Sequence, residues 1–437
     1  MSLLLPPLLS LSLAACSQQQ AWWATAAPPI AKLDGGTLEG IRAGTVSQFL
    51  GVPFAQPPVG AKRWMPPELP APWHTTLDAT QYKPACAQGG DAPSSEDCLY
   101  LDIYTPVDLG DAGAVKLAVV LFVHGGGFRG GQSSGWPTGV PLAAGGGTFN
   151  GTYMAEDQQV VVVSINYRLG IFGFLGSKDL SVRTGGSGSG NFGIQDQRRA
   201  MEWTTQNIDR FGGDRSRLMI HGCSAGGVSI ANHLTQPLSW PFFTAAAMES
   251  GNMYAFTDAV SMADAQSSFD DVMSGFGCDS IDCLLTKNTT ELLCAHYGHA
   301  APVVDGVNLA DFPKALLRDG KVKHVPTIVG AARDELAGLA AGALEAYVNM
   351  TAAGFRRWIS LQYGPEHVET VLRLYPTSSA RVGPEGGPCA GDPPTSTRCS
   401  PYYYLVETIA TDDALVCSAR CVHPPPSRMR SMHLCSA

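Results

Sequence analysis

The segment Gly222-Cys223-Ser224-Ala225-Gly226 follows the apolar run Leu218-Met219-Ile220 and precedes further small residues, so it dictates a strand, a sharp turn and a helix in immediate succession. A serine on such a turn is lifted clear of the backbone. The flanking glycines let the chain take up the strained conformation and let the helix pack close behind the strand. Ser224 is the first candidate for a catalytic nucleophile. A chance match is the competing reading in a chain with 49 glycines, and the surrounding residues have to decide between them.

Those residues describe a mostly parallel sheet. Val115 to Val123 and Val160 to Ile165 are short, β-branched, nearly continuous apolar runs, as expected of strands buried on both faces. Ile194 to Phe211 reads as a helix, with Ala200, Met201, Thr204, Ile208 and Phe211 inward and Gln195, Arg198, Arg199 and Glu202 turned mostly outward. Thr327-Ile328-Val329 is expected to be another buried strand, ending at Gly330. Strands alternating with helices imply an α/β fold, its sheet covered by helices on both faces and its sites in loops beyond the carboxyl ends of the strands. With 437 residues, 45% of them hydrophobic, the chain has ample material for a large core. Charged residues make up 15% and the formal balance is −9. That mildly acidic surface has no basic stripe for nucleic acid or an anionic membrane, and it suits a neutral small molecule better.

The first residues, Met-Ser-Leu-Leu-Leu-Pro-Pro-Leu-Leu-Ser-Leu-Ser-Leu-Ala-Ala-Cys, form an apolar stretch of secretory length ending in small residues. Residues 1–26 therefore read as a leader for export. Leu13-Ala14-Ala15-Cys16 resembles a lipoprotein cleavage site, which would anchor the chain by lipid at Cys16, whereas Ala24-Thr25-Ala26 offers ordinary cleavage. No later segment reaches about 18 uninterrupted apolar residues, so no transmembrane segment is expected. The 12 cysteines lack metal-ligand spacing, and disulfides are the better reading. Cys86 with Cys98, Cys278 with Cys283, and Cys389 with Cys399 each bracket a short polar loop. Glycosylation sequons at Asn150, Asn288 and Asn349 agree with export. Thr184 to Gly190 and Gly383 to Ser400 read as flexible surface connections, and residues 422–437 as a disordered tail.

Upstream of the serine turn, His124-Gly125-Gly126-Gly127-Phe128 follows directly on a strand. Its glycines leave backbone amides unobstructed, so Gly126 and Gly127, joined by the amide of Ala225, are candidate donors to an oxyanion. A serine hydroxyl also needs a histidine to take its proton and a carboxylate to fix the histidine's tautomer. In chains with this serine turn the acid follows the serine and the histidine follows the acid. Glu335 lies a short loop beyond Thr327 to Val329 and meets that order. Asp334 is its immediate competitor.

Phe211-Gly212-Gly213-Asp214 and Leu218 to Gly226 together resemble the serine signature of the type B carboxylesterases, the family that includes the cholinesterases. Glu96-Asp97-Cys98-Leu99-Tyr100-Leu101-Asp102-Ile103 resembles its second signature. Similar too are Phe49 to Pro58, Asn166-Tyr167-Arg168-Leu169-Gly170 and Asn191 to Arg198, and the likeness runs from about Leu33 to about Cys421. The resemblance implies an α/β-hydrolase fold over residues 27–421 and hydrolysis of small carboxylic esters without metal or cofactor. It implies Ser224 as nucleophile, Gly126, Gly127 and Ala225 as oxyanion donors, and Glu335 as the acid. It further implies a serine near that acid at Ser250 and disulfides Cys86–Cys98 and Cys278–Cys283. The first disulfide loop contains no tryptophan of the kind cholinesterases use for a cationic substrate, which favours a general esterase.

Two departures stand out. After Glu335 only His367, His423 and His433 remain, and none matches the family's histidine motif. The sequence thus leads to the expectation that the last family strands, the C-terminal helix and the segment bearing the general base are missing. A non-catalytic binding or adhesion protein, or an inactive short form, is the alternative to an active secreted esterase. The second departure is Cys223, where many members carry glutamate. A small buried cysteine is the preferred reading there, over a thiolate favoured at a helix N-terminus.

Overall fold

A computed structural model describes residues 27–90, 93–108, 114, 116–134, 149–252, 259–298, 300–332, 350–376, 405–406 and 409. Its centre is an eight-stranded sheet. The strands, in chain order, are β1 (Ile41–Ala43), β2 (Val46–Pro53), β3 (Tyr100–Thr105), β4 (Leu117–Val123), β5 (Val161–Ile165), β6 (Gly213–Cys223), β7 (Ala245–Glu249) and β8 (Thr327–Gly330). Their spatial order is β8-β7-β6-β4-β5-β3-β2-β1. The five strands β4 to β8 run parallel, and β3, β2 and β1 extend the sheet in antiparallel fashion. From β4 the chain steps outward to β5 and then returns across β4 to β6. The strand order therefore reverses between β4 and β6, and a crevice opens at such a reversal, beyond the carboxyl ends of the strands.

Alternation along the strands divides the core into two faces. Ile103, Val119, Leu121, Val161 and Val163 point into the larger cluster, which is completed by helices α2 (Phe192–Asn207) and α3 (Ala225–Thr235) through Ala200, Met201, Trp203, Val228 and Ala231. Tyr104 and Val162 point the other way, against Ala155 of helix α1 (Thr152–Gln158). This is the mostly parallel sheet, helix-covered on both faces, that the sequence implies. Helix α4 (Met262–Gly275) builds a second cluster through Phe269 and Val272, and the Cys278–Cys283 disulfide follows directly on it. The other expected bridge, Cys86–Cys98, is also formed, whereas Cys389 and Cys399 lie outside the described residues.

Three expectations need correction. The end of the predicted helix tightens into a 3-10 turn at Ile208–Phe211, and Gln195 is buried rather than outward, because the chain before α2 folds over the first helical turn. That covering segment, Thr184 to Gly190, is no free surface connection: Ser189 is fully buried and bonds Ser177 from both sides of its hydroxyl. Strand β8 is half-exposed rather than buried, with Ile328 at 66% exposure, since it has a neighbour on one side only among the described residues. No described helix is long and apolar enough to cross a membrane.

Candidate active site

Strand β6 ends at Cys223, and α3 begins at Ala225, so Ser224 alone makes the turn. Its backbone sits at φ +57° and ψ −123°, a left-handed conformation that costs a non-glycine residue on the order of 1–3 kcal/mol. What holds it is local crowding. A methyl group on Gly222 would stand 2.4 Å from the carbonyl of Gly226, and one on Gly226 would stand 2.1 Å from the carbonyl oxygen of Val123. Bare glycines let α3 press against β4 and β6 at once. The Ser224 amide donates to the carbonyl oxygen of Glu249 at 2.8 Å, which ties the turn to the end of β7.

The glycine loop after β4 lies directly against this turn. A methyl group on Gly125 would approach the Ser224 Cβ to 3.0 Å, and Gly126 and Gly127 have φ of +110° and +60°. Space around Gly127 is open: nothing lies within 4 Å of where its side chain would be. Among the described residues, the amides of Gly126, Gly127 and Ala225 donate to no other group. Ser224 itself is half-buried. The four sequence-predicted positions are thus brought to one place, the sheet's reversal point.

Three features brace the loop. His124 is buried, stacked on Tyr167 with ring centroids 4.3 Å apart, and its Nδ1 donates to Gly125 O at 2.8 Å. Burial pushes this imidazole down to about 4, so it is neutral at physiological pH. The Tyr167 hydroxyl donates to His124 O at 2.9 Å. Gln88, inside the Cys86–Cys98 loop, exchanges a reciprocal pair of 2.9 Å hydrogen bonds with the backbone of Gly131. Asn166 accepts from the Ser133 amide and donates to Cys98 O and Pro84 O. Sequence reasoning missed all of these braces. The Asn166-Tyr167 pair was visible only as part of a family-like segment.

Beyond β7, Ser250 adopts φ +51° and its amide donates to Gly330 O at the end of β8. It therefore stands between the nucleophile turn and the segment that leads to Glu335. Glu335 and its competitor Asp334 lie outside the described residues, as do Asn349, His423 and His433. His367 belongs to a 3-10 turn at the start of surface helix α5 (Val368–Leu374) and pairs with Glu366, not with the site. Among the described residues, no hydrogen bond joins a histidine to Ser224. Cys223 is half-buried, where a buried side chain was expected. Its ladder partner is Glu249, whose carboxylate lies 3.2 Å from His221 Nε2. Asn150 and Asn288 are both exposed, and Asn288 also caps a short helix by accepting from the Glu291 amide.

Comparison with known proteins agrees with this geometry. A model of the carboxylesterase family matches residues 27–361. Among individual relatives, the acylcarnitine hydrolase of Mus musculus is 36% identical over 314 residues, covering 66% of this chain and 52% of its own length. The acetylcholinesterase of Electrophorus electricus is 34% identical over 321 residues, covering 66% of this chain and 48% of its own. The chain spans about half the length of the curated relatives it matches. Of solved structures, the Geobacillus stearothermophilus carboxylesterase EST55 superposes with a TM-score of 0.73 at 29% identity, covering 89% of this chain and 75% of that one. A PNB esterase superposes with a TM-score of 0.67 at 27% identity.

Proposed function

Because the chain belongs to the carboxylesterase family, with its α/β-hydrolase fold, we propose that it hydrolyses small carboxylic esters through an acyl-enzyme on Ser224. The observation that carries this reading is the left-handed Ser224 beside three amides with no other partner. Attack of the Ser224 Oγ on the ester carbonyl would place negative charge on the carbonyl oxygen, where Gly126, Gly127 and Ala225 can donate to it. Pre-positioned donors of this kind are worth roughly 3–4 kcal/mol each in comparable sites. Expulsion of the alcohol leaves the acyl group on Ser224, and water then releases the acid. Glu335 takes the acid's role in this proposal, supported by its position five residues after β8 ends, with β8 lying parallel to β7. No histidine is assigned as the base. Export to an oxidising compartment is part of the same reading. It is supported by the Cys86–Cys98 and Cys278–Cys283 bridges and by the exposure of the sequons at Asn150 and Asn288.

The test is a fluorophosphonate probe alongside p-nitrophenyl acetate. Covalent labelling that disappears in Ser224→Ala, with turnover of the ester, is the expected result. Labelling without turnover would leave the nucleophile in place but overturn sustained hydrolysis. Folded protein that neither labels nor turns over would overturn the whole reading.

A further inference from the structure

A second groove lies at the opposite end of α3 from Ser224. That helix has 11 residues, and at 1.5 Å per residue it separates the two places by about 16 Å. The groove has a volume of about 350 Å³, within the ordinary range for small-molecule sites of roughly 300–1,000 Å³. One wall is apolar: Leu238 and Val307, exposed at 57% and 50%, with Phe242 beside them. The other wall carries Arg198, Arg199 and Gln195 from α2.

The polar wall has unused capacity. Arg198 is half-buried and bonds two neutral amide oxygens, Asn308 Oδ1 at 2.8 Å and Gln236 Oε1 at 3.3 Å, with no carboxylate at ion-pair distance among the described residues. Asp305 is near in charge, yet its oxygens already accept from the amides of Val307, Asn308 and Leu309 and from Asn308 Nδ2. Arg199 is neutralised by Glu202 at 2.6 Å, but its Nε is buried without a partner, as are Gln236 Nε2 and, on the 95%-buried Gln195, Oε1. A cation whose direct partners are neutral amide oxygens, beside an adjoining apolar wall, fits a monoanion with a hydrocarbon tail. Glu202 and Asp305 stand nearby, so a single negative charge suits this wall better than two.

We propose that this groove binds an aliphatic carboxylate, its head group on Arg198 and its chain along Leu238, Phe242 and Val307. The site is separate from Ser224 and requires no catalysis. Calorimetric titration of decanoate into the whole chain is expected to show saturable binding that decanol does not reproduce. Loss of the charged hydrogen bonds in Arg198→Gln should weaken it by about tenfold or more, and Leu238→Trp, which fills the groove, by a similar factor. Leu238 is on the surface, so its replacement reports on the groove even where Arg198→Gln perturbs folding. Absence of saturable decanoate binding, equal binding of decanol, or unchanged affinity in Leu238→Trp overturns the proposal.

Discussion

At the scale of single residues, the serine turn depends on atoms that are missing. Gly226 has ordinary φ, so its requirement is for space: an added Cβ meets the carbonyl oxygens of Val123 at 2.1 Å and His124 at 3.0 Å. Backbone cannot move aside as a flexible side chain can. Gly226→Ala should therefore destabilise the fold by at least about 1–3 kcal/mol, the usual cost of overpacking, and should slow fluorophosphonate labelling because it pushes α3 off the loop that carries Gly126. Gly275, at the end of α4, is the matched control, since an added Cβ there meets nothing within 4 Å. Gly275→Ala should be neutral or stabilising by up to about 1 kcal/mol, through loss of unfolded-state freedom. Urea unfolding of both variants reads the contrast, and equal effects would mean that close approach is not what selects glycine at position 226.

At the scale of elements, the disulfide loop and the glycine loop after β4 form one unit, joined by Gln88. Its two hydrogen bonds satisfy both backbone groups of Gly131, where φ is +113° and a side chain would collide with His124. Gln88→Leu leaves that buried amide and carbonyl unpaired, at a cost of about 1–3 kcal/mol for each group left unpaired. The expected result is a lower melting temperature together with about tenfold slower labelling of Ser224, because the amide donors lose their fixed position. An unchanged labelling rate in a destabilised protein would show the link to be structural only. This unit also marks how far the sequence was legible. Strands β4, β5 and β6 announce themselves as β-branched runs, and the glycines after β4 and around Ser224 follow from steric need, so the meeting of these two segments could be read in advance. Gln88 and His124 could not, because their roles arise from contacts 43 residues away in sequence, with Gly131 and Tyr167 respectively. Gln195 misled for a related reason: helical periodicity gives it an outward direction, and only the folded-over Ser187 to Gly190 segment buries it. Cys223 was read by its own strand position alone, while its ladder partner Glu249 belongs to the next strand.

At the scale of the whole molecule, three of the buried titratable groups show how the response to acid is divided, and they do not pull together. Burial holds His124 down to about 4. Burial, aided by the Arg198 cation, holds His233 down to about 3. In the unfolded chain both return to about 6.5. As pH falls below that value the unfolded state gains protons that the native state refuses, so stability is lost down to about pH 4 for His124 and pH 3 for His233. Asp102 acts in the opposite sense. It is fully buried on β3, with Oδ1 accepting from the Gly51 amide at 2.8 Å, and burial outweighs the hydrogen bonds from Ser133 and Gly51 and pushes its carboxyl up to about 6 from 3.8. Between those values the native state holds a proton that the unfolded state has lost, so this group stabilises the fold as pH falls from 6 towards 3.8. Each such proton contributes about 1.4 kcal/mol per pH unit. Asp102→Asn keeps an oxygen for Gly51 and removes the titration. The variant should be more stable than the parent at pH 7.5 by up to about 3 kcal/mol, the worth of the removed shift. Between pH 6 and 4 its stability should fall more steeply than the parent's by about 1.4 kcal/mol per unit, so that the advantage has largely vanished near pH 4. Unfolding in urea at pH 7.5, 6, 5 and 4 measures both curves. Parallel curves would mean that Asp102 titrates alike in the folded and unfolded chain and contributes nothing to the acid response.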